Sequence, residues 1–179
     1  FLSIYFFIAS FRRSGKKSGY LFAVLSGIFT AAMMHTWGGN AYIFFVILPA
    51  LFISFLLGQV DKNKKLNYFV WFASCFSLAL LVFEKYSIKN ILSSQQGGLA
   101  VFIFLVFVLD FFVDKKHFKK ILGGNLTEKI PKPLLVSVLT GIFGAIAASL
   151  LFGISFISKN LMNFYSLLVK PATSRLIQT

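Results

Sequence analysis

Long apolar segments dominate this sequence and constrain its fold more than any other feature. Short polar segments separate five apolar runs, which cover Phe1–Phe11, Tyr20–Leu57, Leu66–Phe83, Gly98–Val113 and Leu134–Ile157. A helix needs about 20 mostly apolar residues to cross a bilayer core about 30 Å thick. Because 58% of the residues are hydrophobic and only 13% are charged, the composition excludes an ordinary soluble domain, a disordered chain and a disulfide scaffold. We expect a polytopic, all-α transmembrane bundle.

The run Tyr20–Leu57 is too long for one span and long enough for two. We expect it to break near Trp37–Asn40, because two glycines weaken a helix and tryptophan favours the membrane–water interface. Phe1–Phe11 covers only about 16 Å as a helix, so we interpret it as the end of a truncated span in a slice of a longer protein. The prediction is one truncated and five complete spans within residues 1–157, and the start of an external loop at 158–179. The spans are expected at residues 1–11, 20–36, 41–57, 66–83, 98–113 and 134–157.

The basic residues separate by side when the spans alternate. Thirteen of the 18 lysines and arginines fall in three segments that share one side, and these are Phe11–Gly19, Gly58–Lys65 and Asp114–Pro133. The other side has five, in Glu84–Gly97 and after Ile157. The positive-inside rule places the more basic side in the cytoplasm. The net charge of +13 is therefore a signal of sidedness, and we expect a lipid bilayer and no nucleic acid as partner.

Few residues suggest chemistry when each is considered by itself. Asp110 is an acid inside a span, which is a functional candidate by default, but it lies near the basic end and we favour snorkelling or pairing with a lysine. Gly97–Gly98 is expected to be a turn. In the last span, Gly141, Gly144, Ala145 and Ala148 place small residues four apart, which favours close packing within the bundle over a subunit contact. The acidic residues and histidines show no spacing typical of a metal site.

Three stretches of the sequence resemble the catalytic subunit of oligosaccharyltransferase, the enzyme family that makes N-linked glycoproteins. They are Gly27–Phe45, Ile91–Asp110 and Asn163–Thr179. In that family a helix leads into a Trp-Gly-Gly, an aromatic residue follows, and a second helix carries a Leu-Pro. A Ser-rich external turn opens a later helix, and a Phe-Tyr-Ser-Leu leads into a large external loop. The order and spacing of these stretches are similar along nearly the whole chain.

The resemblance implies a partial GT-C-type glycosyltransferase membrane domain. The family enzyme transfers an oligosaccharide from a polyprenyl-(pyro)phosphate donor to the asparagine of Asn-x-Ser/Thr in an acceptor protein. Tyr165 would stand at the start of the acceptor loop, and Thr179 would be the first residue of its Thr-x-x-Glu. The catalytic motifs, and the acidic ligands of a divalent metal (Mg or Mn), would lie outside this chain. The resemblance favours the plasma membrane of an archaeon or bacterium over the endoplasmic reticulum.

The predicted break also has a physical rationale as a donor site. A lipid-linked oligosaccharide places its phosphates at the outer membrane surface and its polyprenyl tail in lipid. Gly38 and Gly39 would let backbone N–H groups approach a phosphate closely. Trp37, Asn40 and Tyr42 would add an interfacial ring, an amide donor and an amphipathic ring. The alternative is a simple turn between helices.

Two other functions remain open at this point. One is a different membrane glycosyltransferase that uses a polyprenyl-linked sugar. The other is a non-enzymatic transporter or structural membrane subunit. A transporter would be expected to show broken helices with polar groups near the middle of the bilayer. The one clear break here is predicted at the outer interface, which favours a glycosyltransferase.

The predicted orientation can be tested by labelling. A cysteine placed in Asp114–Pro133, in a variant that lacks Cys75, should resist a membrane-impermeant maleimide in intact cells, because this segment is predicted to be cytoplasmic. A cysteine placed at Lys89 is the control and should be labelled. Ready labelling of the first variant and protection of the second would invert the orientation.

Overall fold

The structure is a computed structural model, and it describes residues 1–36, 41–82, 87–112 and 131–153, together with residues 158 and 162. The described residues form α-helices and no strands, which confirms the predicted all-α class. The chain divides into two compact units, Phe1–Val138 and Leu139–Thr179.

Seven helices account for nearly all of the described residues. In chain order they are α1 (Leu2–Arg12), α2 (Lys17–Thr36), α3 (Ala41–Leu56), α4 (Lys62–Val82), α5 (Ile88–Ser93), α6 (Gln95–Phe112) and α7 (Lys132–Phe152). Four of them, α2, α4, α6 and α7, are long and apolar enough to cross a membrane. These four helices identify the chain as a membrane protein by length and composition.

Two predicted spans are represented by shorter helices. α1 has 11 residues and α3 has 16 residues, so α3 would measure about 24 Å at about 1.5 Å per residue. The apolar run Tyr20–Leu57 does occur as two helices, with α2 ending at Thr36 and α3 beginning at Ala41. The count of five complete spans stays a prediction.

The first unit is organised around a close approach of α2 to α4. A Cβ atom added at Gly27 would overlap the Ser74 hydroxyl and would lie 2.8 Å from the Trp71 carbonyl oxygen. Ala23 and Ala31, four residues to either side of Gly27, are fully buried. Small residues at this spacing let two helix backbones come together, as is common between transmembrane helices.

An aromatic core joins α4 to its other neighbours. Trp71 is fully buried, and its ring centroid lies 5.4 Å from that of Phe7 on α1 and 5.8 Å from that of Phe44 on α3. Tyr68 donates a hydrogen bond of 2.8 Å to the Ala100 carbonyl of α6 and meets Phe107 edge to face. Buried aromatic pairs in this geometry each add about 1 kcal/mol beyond the area that they bury. α4 is therefore the central helix of the first unit.

The packing predicted for the small residues of α7 stays a prediction. Within the described part of the second unit, a Cβ atom added at Gly141 or Gly144 would have no heavy atom within 4 Å. Their apolar neighbours Ile142, Phe143 and Ile146 are exposed.

The α2–α4 contact predicts a selective effect of one methyl group. Gly27→Ala should lower the stability of the purified protein by about 1–3 kcal/mol, because the added Cβ overpacks a site closed by backbone. Thermal unfolding in detergent would measure the change. The matched control, Gly141→Ala, adds the same methyl group where the described part of its own unit has no heavy atom within 4 Å. It should leave the unfolding midpoint nearly unchanged. Equal shifts for the two variants would contradict a close helix contact at Gly27.

Candidate functional site

A cavity of about 170 Å3 lies at the end of the first unit that is predicted to be external. One part of its wall is apolar and comes from α2, α3 and α4, through Met34, Phe44 and Phe76. The other part comes from α5 and the beginning of α6 and includes the polar residues Asn90 and Gln96. An apolar wall facing a few polar groups is the usual composition of a small-molecule site.

The polar side of this cavity is shaped by the junction between α5 and α6. Ser87 caps α5, since its hydroxyl accepts a hydrogen bond of 3.1 Å from the Asn90 N–H. Ser94 is extended, and its hydroxyl accepts from the Gly97 N–H at 3.1 Å and donates to the Ile91 carbonyl at 2.8 Å. Serine is among the residues preferred at a helix N-cap for this reason. The hydroxyl of Ser94 is thus used by the fold, and Asn90 and Gln96 are the lining residues with side-chain amides.

Gly97 has a structural role that differs from the predicted turn. It lies in the first turn of α6, where an added Cβ would overlap the Ile91 carbonyl oxygen. The prediction that Gly97–Gly98 forms a turn is therefore wrong. The absence of a side chain at Gly97 instead lets the short helix α5 pack directly against the beginning of α6.

Most of the predicted donor-site residues lie outside the described residues. These are Trp37, Gly38, Gly39 and Asn40, and the same holds for Tyr165 and Thr179. Tyr42 is described on the first turn of α3, where it is 65% exposed. It does not line the cavity, whereas Met34 and Phe44, which flank the predicted break in sequence, do.

The cavity brings together two of the three stretches that carry the family resemblance. Met34 and Phe44 belong to Gly27–Phe45, and Gln96 belongs to Ile91–Asp110. These stretches are far apart in sequence, so their meeting at one cavity follows from the packing of α3 beside α6 and of α2 beside α4. No sequence pattern identified Asn90 or Gln96 as site residues, although the polar Ser-Ser-Gln-Gln segment at the head of an apolar run is the signal that could have done so.

Asp110 forms a charged cluster at the opposite end of the first unit. Lys65 of α4 donates to one carboxylate oxygen. Lys132 of α7 lies 3.2 Å from the other and also donates to the Asp110 carbonyl at 2.8 Å. The Asp110 and Lys65 side chains are 9% and 12% exposed, and that of Lys132 is 26% exposed. The expectation that Asp110 pairs with lysine is met, and the cluster joins α4, α6 and the beginning of α7.

Sequence reasoning missed a buried polar network that joins three helices. The Thr30 hydroxyl of α2 lies 2.6 Å from the Ser3 hydroxyl of α1 and accepts a hydrogen bond of 3.3 Å from the indole N–H of Trp71. Ser26 donates to the Ser3 carbonyl at 2.8 Å. All four side chains are buried. The sequence gives little indication of this network, because single serines and threonines are common in transmembrane helices.

Metal-ligating residues do not cluster where the structure describes the chain. Among those residues, no group of three histidines, cysteines, aspartates or glutamates is placed to hold a metal ion. The Asp110 carboxylate is already engaged by two ammonium groups. The divalent metal implied by the family resemblance stays a prediction about acidic residues outside this chain.

The charged cluster predicts a marked cost for removing its one acid. Asp110→Asn would remove the carboxylate that two partly buried ammonium groups share. We expect a loss of about 2 kcal/mol in stability, less than for a fully buried pair because Lys132 can reach water. Asp61→Asn is the matched control. Asp61 accepts a hydrogen bond of 2.8 Å from the Lys64 N–H at the start of α4, and asparagine caps a helix as well as aspartate. Thermal unfolding in detergent should separate the two variants, and equal midpoints would contradict a structural role for the cluster.

Comparisons with known proteins do not identify a family. The chain matches no protein-family model, no curated protein and no solved structure. Over the described residues the protein is all-helical, and four of its helices are long and apolar enough to cross a membrane.

Proposed function

We propose that this chain is part of the membrane domain of an oligosaccharyltransferase. The enzyme would transfer an oligosaccharide from a polyprenyl-(pyro)phosphate carrier to the asparagine of an Asn-x-Ser/Thr acceptor. The observation that carries the proposal is the cavity at the predicted external end, because residues from two of the family-like stretches line it together. The predicted Trp37–Asn40 break lies between α2 and α3, which are two of the three helices that form its apolar wall.

The chemistry of the cavity suits the carrier end of such a donor. Apolar side chains of Met34, Phe44 and Phe76 suit a prenyl chain, and the amides of Asn90 and Gln96 can donate hydrogen bonds to phosphate oxygens or sugar hydroxyls. The volume of about 170 Å3 is below the 300–1,000 Å3 that is typical of whole ligand sites. The cavity would therefore hold the part of the donor nearest the phosphates, and the glycan would extend beyond it.

In this mechanism the chain positions the donor and does not supply the nucleophile. The acceptor asparagine amide would attack the anomeric carbon, and the polyprenyl (pyro)phosphate would leave. A divalent metal would neutralise charge on the departing phosphate. Residues of this chain would anchor the lipid, hold the phosphate at the membrane surface and begin the acceptor loop through Tyr165 and Thr179.

A transporter is the second function to be weighed. Transporter sites usually lie near the bilayer midplane, where discontinuous helices expose backbone groups. The described α2, α4 and α6 run without interruption through their apolar segments. Between α1, α2 and α4, the buried side chains of Ser3, Ser26, Thr30 and Trp71 are hydrogen-bonded within the protein. Both observations favour a glycosyltransferase scaffold over a substrate path through the membrane.

Two neighbouring glutamines offer a matched test of the donor site. Gln96 lines the cavity and Gln95 does not. In the intact protein, Gln96→Leu should raise the KM for the lipid-linked donor about tenfold, since each lost hydrogen bond to a charged group is worth about 1.5 kcal/mol. Gln95→Leu makes the same chemical change and should leave the KM within about twofold. Glycosylation of an Asn-x-Thr peptide in detergent, with the donor titrated, is the assay.

The same assay tests the predicted break. Trp37→Ala and Gly39→Leu should impair peptide glycosylation through weaker donor binding. Unchanged donor affinity in both variants and in Gln96→Leu would remove the assignment of this end of the molecule to the donor. The full-length protein that contains this chain should transfer the oligosaccharide without any substitution. No transfer at all, with donors of one and of two phosphates, would refute the proposed activity itself.

A further inference from the structure

A second and larger cavity lies at the predicted cytoplasmic end of the first unit, away from the proposed donor site. Its volume is about 610 Å3, within the range of sites that bind small molecules. Ile4 and Ile8 of α1 form one wall, and Val46 and Ala50 of α3 form the other. The buried side chain of Leu51 contributes to its floor. We call this cavity the α1–α3 groove.

The groove has an apolar shaft and a polar mouth. From Ile4 to Arg12 the wall formed by α1 rises about 12 Å, at about 1.5 Å per residue. That distance is close to half of a hydrocarbon core about 30 Å thick, which is one leaflet. The side chains of Ile8 and Val46 are 50% and 39% exposed. The apolar shaft is therefore open to the position that an acyl chain of one leaflet would occupy.

Basic side chains stand at the mouth of the groove. Arg12 is the last residue of α1 and is exposed, and Lys64 lies on the first turn of α4. Both line the cavity, together with the polar side chains of Ser14 and Gln59. The ammonium group of Lys64 donates to the Gln59 carbonyl at 2.8 Å, which holds it at the mouth.

One acid also lines the mouth, and its carboxylate is engaged. Asp61 accepts the hydrogen bond from the Lys64 N–H that caps α4. The two cations Arg12 and Lys64 leave the mouth with an excess of one positive charge over Asp61. An anionic headgroup above an apolar tail is the ligand that matches this distribution of charge and hydrophobicity.

We infer that the α1–α3 groove binds one anionic glycerophospholipid of the cytoplasmic leaflet. Its phosphate would be held at the mouth by Arg12 and Lys64, and one acyl chain would lie between Ile8 and Val46. Anionic lipids are concentrated in the cytoplasmic leaflet, and basic pockets between transmembrane helices on that side are known to hold their headgroups. This inference does not depend on the proposed transferase activity, because it concerns the other end of the molecule.

The chain offers a matched control for each charge at the mouth. Arg13 is adjacent to Arg12, but its guanidinium carbon lies 4.9 Å from the Phe22 ring centroid on α2. Lys62 is two residues before Lys64, and its ammonium group lies 5.0 Å from the Phe111 ring centroid. Neither Arg13 nor Lys62 lines the groove. A specific site therefore predicts unequal effects of Arg12→Gln and Arg13→Gln, and of Lys64→Gln and Lys62→Gln.

The test is native mass spectrometry of the full protein in detergent, with dioleoyl phosphatidylglycerol and dioleoyl phosphatidylcholine titrated in turn. We expect one phosphatidylglycerol to be retained in preference to phosphatidylcholine. Arg12→Gln and Lys64→Gln should each weaken its apparent affinity about fivefold, since a basic residue near anionic lipid contributes about 1 kcal/mol. Arg13→Gln and Lys62→Gln should change it less than about twofold.

A substitution in the apolar shaft tests whether the groove holds an acyl chain, independently of the charges at its mouth. Ala50→Phe should abolish the adduct by filling the groove, whereas Ala32→Phe, at an exposed position on α2 outside the groove, should not. Equal retention of the two lipids, or equal losses for Arg12→Gln and Arg13→Gln, would overturn the site. Displacement of phosphatidylglycerol by an equimolar polyprenyl phosphate would overturn the choice of occupant.

Discussion

The packing of the first unit depends on the hydrogen bonds of the Thr30 hydroxyl. In a bilayer core there is no water to satisfy a polar group, so each must find its partner within the protein. Thr30 accepts from Trp71, lies within hydrogen-bond distance of Ser3 and donates to the Ser26 carbonyl. It thereby joins α1, α2 and α4 at one point. Gly27, one turn away, supplies the close approach of α2 and α4 that brings the indole within reach.

The coarse fold could be predicted from the sequence, because the length and hydropathy of each segment determine whether it can cross a bilayer as a helix. Both are properties of the single segment and do not depend on its neighbours. The apolar runs indicated helices, and the run Tyr20–Leu57 occurs as α2 and α3. The lysine pairing of Asp110 was also predictable, since a carboxylate near a basic helix end has few other partners at that depth. What hydropathy cannot resolve is which residue begins a helix. α6 begins at Gln95, before its apolar run, because Ser94 caps it.

Contacts between helices were less predictable, for a physical reason. Small residues four apart occur on both α2 and α7, and sequence pattern favoured α7 as the packed helix. The structure shows a close contact at Gly27 of α2, which the sequence pattern did not single out, whereas the packing predicted for α7 stays a prediction. A small residue permits close approach but does not attract a partner. Close packing also requires a partner helix that fills the space beside the small residue. At Gly27 that partner is α4, through Ser74 and Trp71.

The two ends of the first unit differ in how they use charge, and this difference fits the separate roles that we propose for them. At the predicted cytoplasmic end, Asp110 supplies a counter-charge to the partly buried Lys65 and Lys132. Arg12 and Lys64 line the mouth of an apolar groove at the same end. At the predicted external end, the smaller cavity is lined by uncharged amides. Under the proposed function, the divalent metal would neutralise the charge of the departing phosphate. The neutral amides of this cavity would then only have to position the carrier.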